Sequence, residues 1–95
     1  MTRLHSVLVY WSDEKRKELP TSGQYITVAR FAEEMVSWPS EAWSVVLQIR
    51  GDVHVWPCQA DARFLSPLAP DDRFQSGAKF ELLEGNEITA IVHVL

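Results

Sequence analysis

Cys58 is the single cysteine of the chain, and His54 stands four residues before it. A thiol with an imidazole in reach is the pairing of a nucleophile and its base. That chemistry needs a lowered thiol pKa and a hydrogen-bonded ring. The local sequence Trp56-Pro57-Cys58 reads instead as a strand end or turn with a semi-buried thiol, and free cysteine usually packs as a small hydrophobe. His5, His54, His93 and Cys58 complete the stock of zinc ligands of the imidazole and thiolate type. They fall on three segments, with no spacing tighter than His54-x-x-x-Cys58, whereas zinc sites usually show closer ligand pairs.

The carboxylates Glu33-Glu34, Asp71-Asp72 and Glu81, Glu84 and Glu87 are acid–base candidates. Their neighbours are turn and surface residues, so they read as solvated charge, and as faces that speed encounter with a basic partner. The chain has no G-x-x-x-x-G-K-[ST] phosphate loop, G-x-S-x-G elbow or H-E-x-x-H pair. The sequence therefore predicts no catalytic turnover, no cofactor and no bound metal.

The tryptophans, four in 95 residues, are the better functional clue. Trp43 has a core-facing pattern. Trp11 ends a strand and Trp38 precedes Pro39, positions where exposure is expected and where a tryptophan either lies under a long loop or anchors a partner.

Those side chains need a scaffold, and composition bounds it. Ninety-five residues with 46% hydrophobic content build one core, giving a single domain over residues 1–95. One cysteine excludes an intramolecular disulfide framework and points to a reducing, cytoplasmic compartment. The first residues lack a signal-peptide apolar region, and no stretch approaches a membrane span. Net charge is -4, which disfavours binding that rests on phosphate neutralisation.

The elements follow from period-2 alternation. Residues 4–11 (LHSVLVYW) form a strand with two fairly apolar faces, Leu8 and Tyr10 on one, Val7, Val9 and Trp11 on the other. Residues 12–23 are charged, then punctuated by Pro20 and Gly23, and read as a long exposed loop. A strand runs from Tyr25 to about Phe31, followed by a helical turn or short helix that stops before Pro39. Residues 43–50 (WSVVLQIR) are a strand with Trp43, Val45, Leu47 and Ile49 on one face. Gly51-Asp52 turns the chain into a short extended segment at 53–56, and a further strand carries Ala60, Ala62 and Phe64 on one face. Residues 66–77 are a loop. Residues 77–95 form a hairpin around Gly85-Asn86, both of which tolerate positive φ. Short strands with Gly- and Pro-rich connections argue an all-β chain. Six of them avoid exposed edges most simply as an antiparallel closed β-barrel of about six strands, with at most one short helix.

In their order these motifs resemble the C-terminal (third) β-barrel domain of elongation factor Tu and related translational GTPases. The matching stretches are Ser22-Gly23-Gln24-Tyr25 after the charged loop, Phe64-Leu65-Ser66-Pro67-Leu68-Ala69 before Asp71-Asp72, and Phe80-Glu81-Leu82-Leu83-Glu84-Gly85-Asn86 before the aliphatic strand 88–95. The resemblance spans nearly the whole chain. It implies a stand-alone barrel that binds rather than catalyses. In that family the hairpin glycines are usually followed by a basic residue near tRNA; here the position holds Glu87, and Ile26-Thr27 replaces an Arg-Pro.

Two functions follow. The first is a protein-binding module of regulatory or toxin–immunity type, with its contact region on the 12–25 loop, the 32–42 insertion, and Trp11, Arg16, Tyr25, Met35 and Trp38. The second is a tRNA-binding barrel. Lys and Arg total nine, and their one cluster, Lys15-Arg16-Lys17, is flanked by Glu14 and Glu18, which favours the protein partner.

Overall fold

The computed structural model describes residues 4–20, 23–31, 43–69 and 74–95. Met35 and Trp38, and with them the expected helical turn, lie outside the described residues. Six strands are present: β1 (His5–Trp11), β2 (Gln24–Phe31), β3 (Trp43–Arg50), β4 (Cys58–Phe64), β5 (Lys79–Glu84) and β6 (Glu87–Val94). They close into a barrel in the order β1-β4-β3-β2-β5-β6. Every neighbouring pair is antiparallel, so closure pairs each strand on both sides. The expected fold class is the observed one.

Alternation decides what fills the interior. Val7, Val9 and Trp11 of β1, Ala29 and Phe31 of β2, Val45 and Leu47 of β3, Ala60, Ala62 and Phe64 of β4, and Ala90, Val92 and Val94 of β6 all enter one core. Ala29, Ala60, Ala62 and Ala90 share that core with the rings of Phe31, Phe64 and Phe80, small residues beside large ones, which is how a narrow barrel is filled without voids.

The strand order explains the connections. β3–β4 and β5–β6 are neighbours and need only turns. In the closed ring two strands separate β1 from β2 on either side, and the connection from Trp11 takes the side of β6 and β5, bonded to Thr89 and Glu84. It is accordingly long, but it is packed rather than free. It contains a 3-10 turn at Lys15–Lys17, and Leu19 packs against the core. The chain from β4 to β5 must cross the opposite end of the barrel. There Phe74, read from sequence as part of a loop, is buried. Its ring lies 4.6 Å from Phe64, 5.6 Å from Phe80 and 5.9 Å from Phe31, and His5 stacks on it at 4.7 Å. This end is closed by aromatic packing.

The segment 53–56, expected to be extended, is a turn. Gly51 takes φ 73, the Asp52 side chain accepts the His54 N–H at 2.8 Å, and the Val55 N–H donates to Asp52 O at 3.2 Å. These bonds curl the chain where β-propensity alone favours extension. The next strand consequently starts at Cys58. In the terminal hairpin Gly85 alone takes a positive φ, 63, the pattern of a turn with glycine at its first central position.

Candidate functional site

The end of the barrel opposite Phe74 gathers the polar groups. Trp11 ends β1, Tyr25 lies near the start of β2, Glu84 ends β5 and Thr89 lies near the start of β6. Along β5–β6 the register shifts between Leu82 and Leu83: Leu82 pairs with Ala90 but Leu83 pairs with Ile88. Thr89 is the extra residue of a β-bulge, a device that re-aims a side chain. Its hydroxyl reaches Tyr25 Oη at 2.9 Å and Leu82 O at 3.3 Å.

Tyr25 Oη donates to Glu84 Oε2 at 2.5 Å. Lys15 Nζ reaches the same oxygen at 2.7 Å and sits 4.9 Å over the Tyr25 ring. Below, the Tyr25 ring meets Trp11 edge-on at 5.2 Å. Thr27 Oγ1 donates to Leu83 O and closes the seam between β2 and β5 where backbone pairing stops. Burial first, and the Glu84 carboxylate second, push the Tyr25 phenol up to about 12. Lys15 and then Tyr25 hold the Glu84 carboxyl below its usual range. At neutral pH the network is a neutral phenol and an ammonium on one carboxylate.

The connection after β1 forms the outer wall of this mouth. The Ser12 N–H donates to Thr89 O at 2.8 Å, and Ser12 Oγ accepts the Lys15 N–H at 3.2 Å. Between it and the hairpin runs a groove of about 640 Å3, lined by Ser12, Asp13, Glu14, Lys15, Glu18, Glu84, Glu87, Ile88 and Thr89. Five carboxylates line it against one lysine.

Beside the mouth lies an aromatic corner. Trp56 is 51% exposed, yet it is held on three sides. Its Nε1 donates to Trp11 O at 3.2 Å, its ring meets Tyr10 edge-on at 5.3 Å, and the Arg16 guanidinium lies over it at 5.6 Å. His93 extends the corner, 4.7 Å from Tyr10. Val55 next to it is exposed.

The sequence-predicted contact residues divide. Arg16 is exposed and belongs to the corner. Tyr25 is half-buried and serves the network at the mouth. The expectation that Trp11 is exposed is corrected: it is 3% exposed, because the connection after it folds over the barrel end instead of leaving it. Its indole N–H has no hydrogen-bond partner among the described residues. Met35 and Trp38 lie outside the described residues. Lys15, Trp56 and Thr89 were missed. Lys15 lies four positions beyond the end of β1, in a charged run that read as solvated loop, and the curl at 53–56 that presents Trp56 was read as extended.

Cys58 lies in the core with no exposure, and burial raises its thiol pKa. A thiol kept protonated and covered is not an activated nucleophile. His54 is exposed on the turn. Among the described residues no three His, Cys, Asp or Glu side chains cluster as a metal ion requires. No described helix is long and apolar enough to cross a membrane. No protein-family model, curated protein or solved structure matches the chain.

Proposed function

We propose that this chain is a non-enzymatic protein-binding barrel whose contact surface is the Trp56 corner and the adjoining acidic groove. The observation that carries the reading is Trp56 itself. A half-exposed tryptophan whose position is fixed by a hydrogen bond and two packed neighbours loses little freedom when a partner covers it, which is the property of an interface anchor. Tyr10 and Arg16 beside it are of the types enriched around such anchors. The groove supplies the second half of the surface. Its carboxylates draw a basic segment of a partner toward the corner and set the rate of encounter more than the final affinity. The motif resemblance to a translation-factor barrel points the same way, toward a domain that binds. An acid-lined mouth and a net charge of -4 weigh against an RNA backbone as the ligand.

The test is capture from native lysate with wild type and Trp56→Ala side by side, after both are shown to unfold at the same urea concentration within error. The proposal expects one or more proteins retained by the wild type and lost from the variant. Equal capture by both overturns the surface. Tight tRNA binding with a steep salt dependence replaces the protein partner by RNA.

A further inference from the structure

We infer that the connection after β1 is a displaceable strap, held across the barrel mouth by Lys15 acting as a charge keystone, and that a cationic side chain of the partner takes the place of Lys15 on Glu84. The inference rests on the protein-binding reading and adds how the surface opens.

The strap and the hairpin it touches are both acidic where they face each other. Asp13, Glu14 and Glu18 stand on one wall of the groove, Glu84 and Glu87 on the other. Glu14 is offset by Lys17 at 3.3 Å, an exposed pair. Asp13, Glu18 and Glu87 carry no ion pair among the described residues. Lys15 is therefore the cation that joins the walls. Its ammonium is largely covered, with 16% of the side chain exposed, and reaches Glu84, which is 47% exposed. Glu84 is thus open to solvent from the groove side while its inner oxygen holds Lys15. A second cation can approach it without first displacing anything.

The other ties are weak singly. They are one backbone bond from Ser12, the Leu19 packing and the solvent-facing Arg16 on Trp56. Removing the Lys15 charge leaves like charges across the groove and reverses the sign of the force on the strap. Beneath the strap lies Tyr25, whose ring Lys15 covers, and behind it Trp11. Opening adds an aromatic floor to the Trp56 corner.

Amide hydrogen exchange of residues 13–18 on the protein alone reads the strap without needing the partner. Lys15→Met is expected to speed it roughly fivefold at low salt, the scale of a partly exposed ion pair, while the strand amides keep their protection. Added salt slows the variant again, because it screens the remaining carboxylates. Lys15→Arg keeps wild-type exchange. The exchanged pair Lys15→Glu with Glu84→Lys restores protection if the link is electrostatic, and this covers the case in which a single variant folds poorly. A hexalysine peptide speeds exchange of residues 13–18 in the wild type, and hexaglutamate does not. Wild-type exchange in Lys15→Met at low salt overturns the keystone, and a strap indifferent to hexalysine overturns displacement. Loss of capture in Trp56→Ala is a separate readout, so failure of the strap and failure of the binding surface are told apart.

Discussion

Replacing Tyr25 by Phe removes one oxygen from the mouth and nothing else. The ring keeps its contact with Trp11 and its place under Lys15. Thr89 is not orphaned, because its hydroxyl still has Leu82 O at 3.3 Å. Glu84 keeps Lys15. What is lost is a hydrogen bond to a charged acceptor, worth about 1.5–3 kcal/mol when fully sheltered. With Glu84 nearly half exposed, water takes up part of that role, so the expected cost is about 1–2 kcal/mol.

The proton equilibrium sets how the wild type's own stability falls at high pH. The Tyr25 phenol is raised from 10.0 to about 12. The folded chain therefore keeps a proton that the unfolded chain gives up, and this stabilisation is complete below pH 10 and lost as pH rises toward 12. The full shift corresponds to about 2.7 kcal/mol, and partial exposure of the ring reduces it to about 1–2 kcal/mol. Urea denaturation of wild type and Tyr25→Phe across pH 7–11.5 measures both. The variant is expected to be less stable by that amount at pH 7, equivalent to a melting point lower by about 5–10 °C, and the gap narrows from pH 10 upward. A gap that stays constant through pH 11.5, or none at pH 7, refutes the assigned network.

Other outcomes follow from the same contacts. Phe74→Ala opens the closed end of the barrel and is expected to cost about 3–5 kcal/mol in urea denaturation, since the ring fills space among three other phenylalanines. Trp11→Phe, which removes a buried N–H without a partner, stays within about 1 kcal/mol of wild type, whereas Trp11→Ala loses about 3–5 kcal/mol. Gly85→Ala meets no atom within 4 Å but must adopt φ 63, so its cost is the backbone term alone, about 1 kcal/mol. Acid titration weakens the wild type as pH falls through the depressed Glu84 pKa, because the stabilisation is present only above the ordinary carboxylate range. Glu84→Gln abolishes that component of the pH profile. Native Cys58 resists aromatic disulfide reagents, and its labelling rate follows unfolding; rapid labelling of folded protein contradicts its place in the core.

The strands were legible because period-2 alternation is written by the core itself. The apolar face of residues 43–50, Trp43, Val45, Leu47 and Ile49, faces the interior, and the terminal hairpin folds as its turn residues dictate. Three features escaped. Phe74 sits among Pro, Asp and Gly residues, and nothing local distinguishes a loop phenylalanine that plugs a barrel from one in solvent. The bulge at Thr89 lies inside an almost unbroken β-branched and aliphatic run, where an extra residue leaves no gap in hydrophobicity. Trp11 was read from its position at a strand end, but its burial depends on a connection that must pass two other strands, a property of topology rather than of the neighbouring residues. Glu84 was visible only as one carboxylate among several, since the partners that single it out, Lys15 and Tyr25, are 69 and 59 residues away.

The two ends of the barrel differ in what holds them shut. One end is sealed by rings from Phe31, Phe64, Phe74 and Phe80, contacts that weaken only with the fold. The other is sealed by one ammonium, one phenol and one carboxylate beneath a strap, and charge contacts of this kind respond to salt, pH and competing cations while the core stays intact. The same strand order produces both ends. Phe74, before β5, closes one end, and the β1–β2 connection lies over β6 and β5, gripping polar strand ends and the core through Leu19. Among the described residues the second end is the one held by contacts that yield without unfolding, and Trp56 stands beside it.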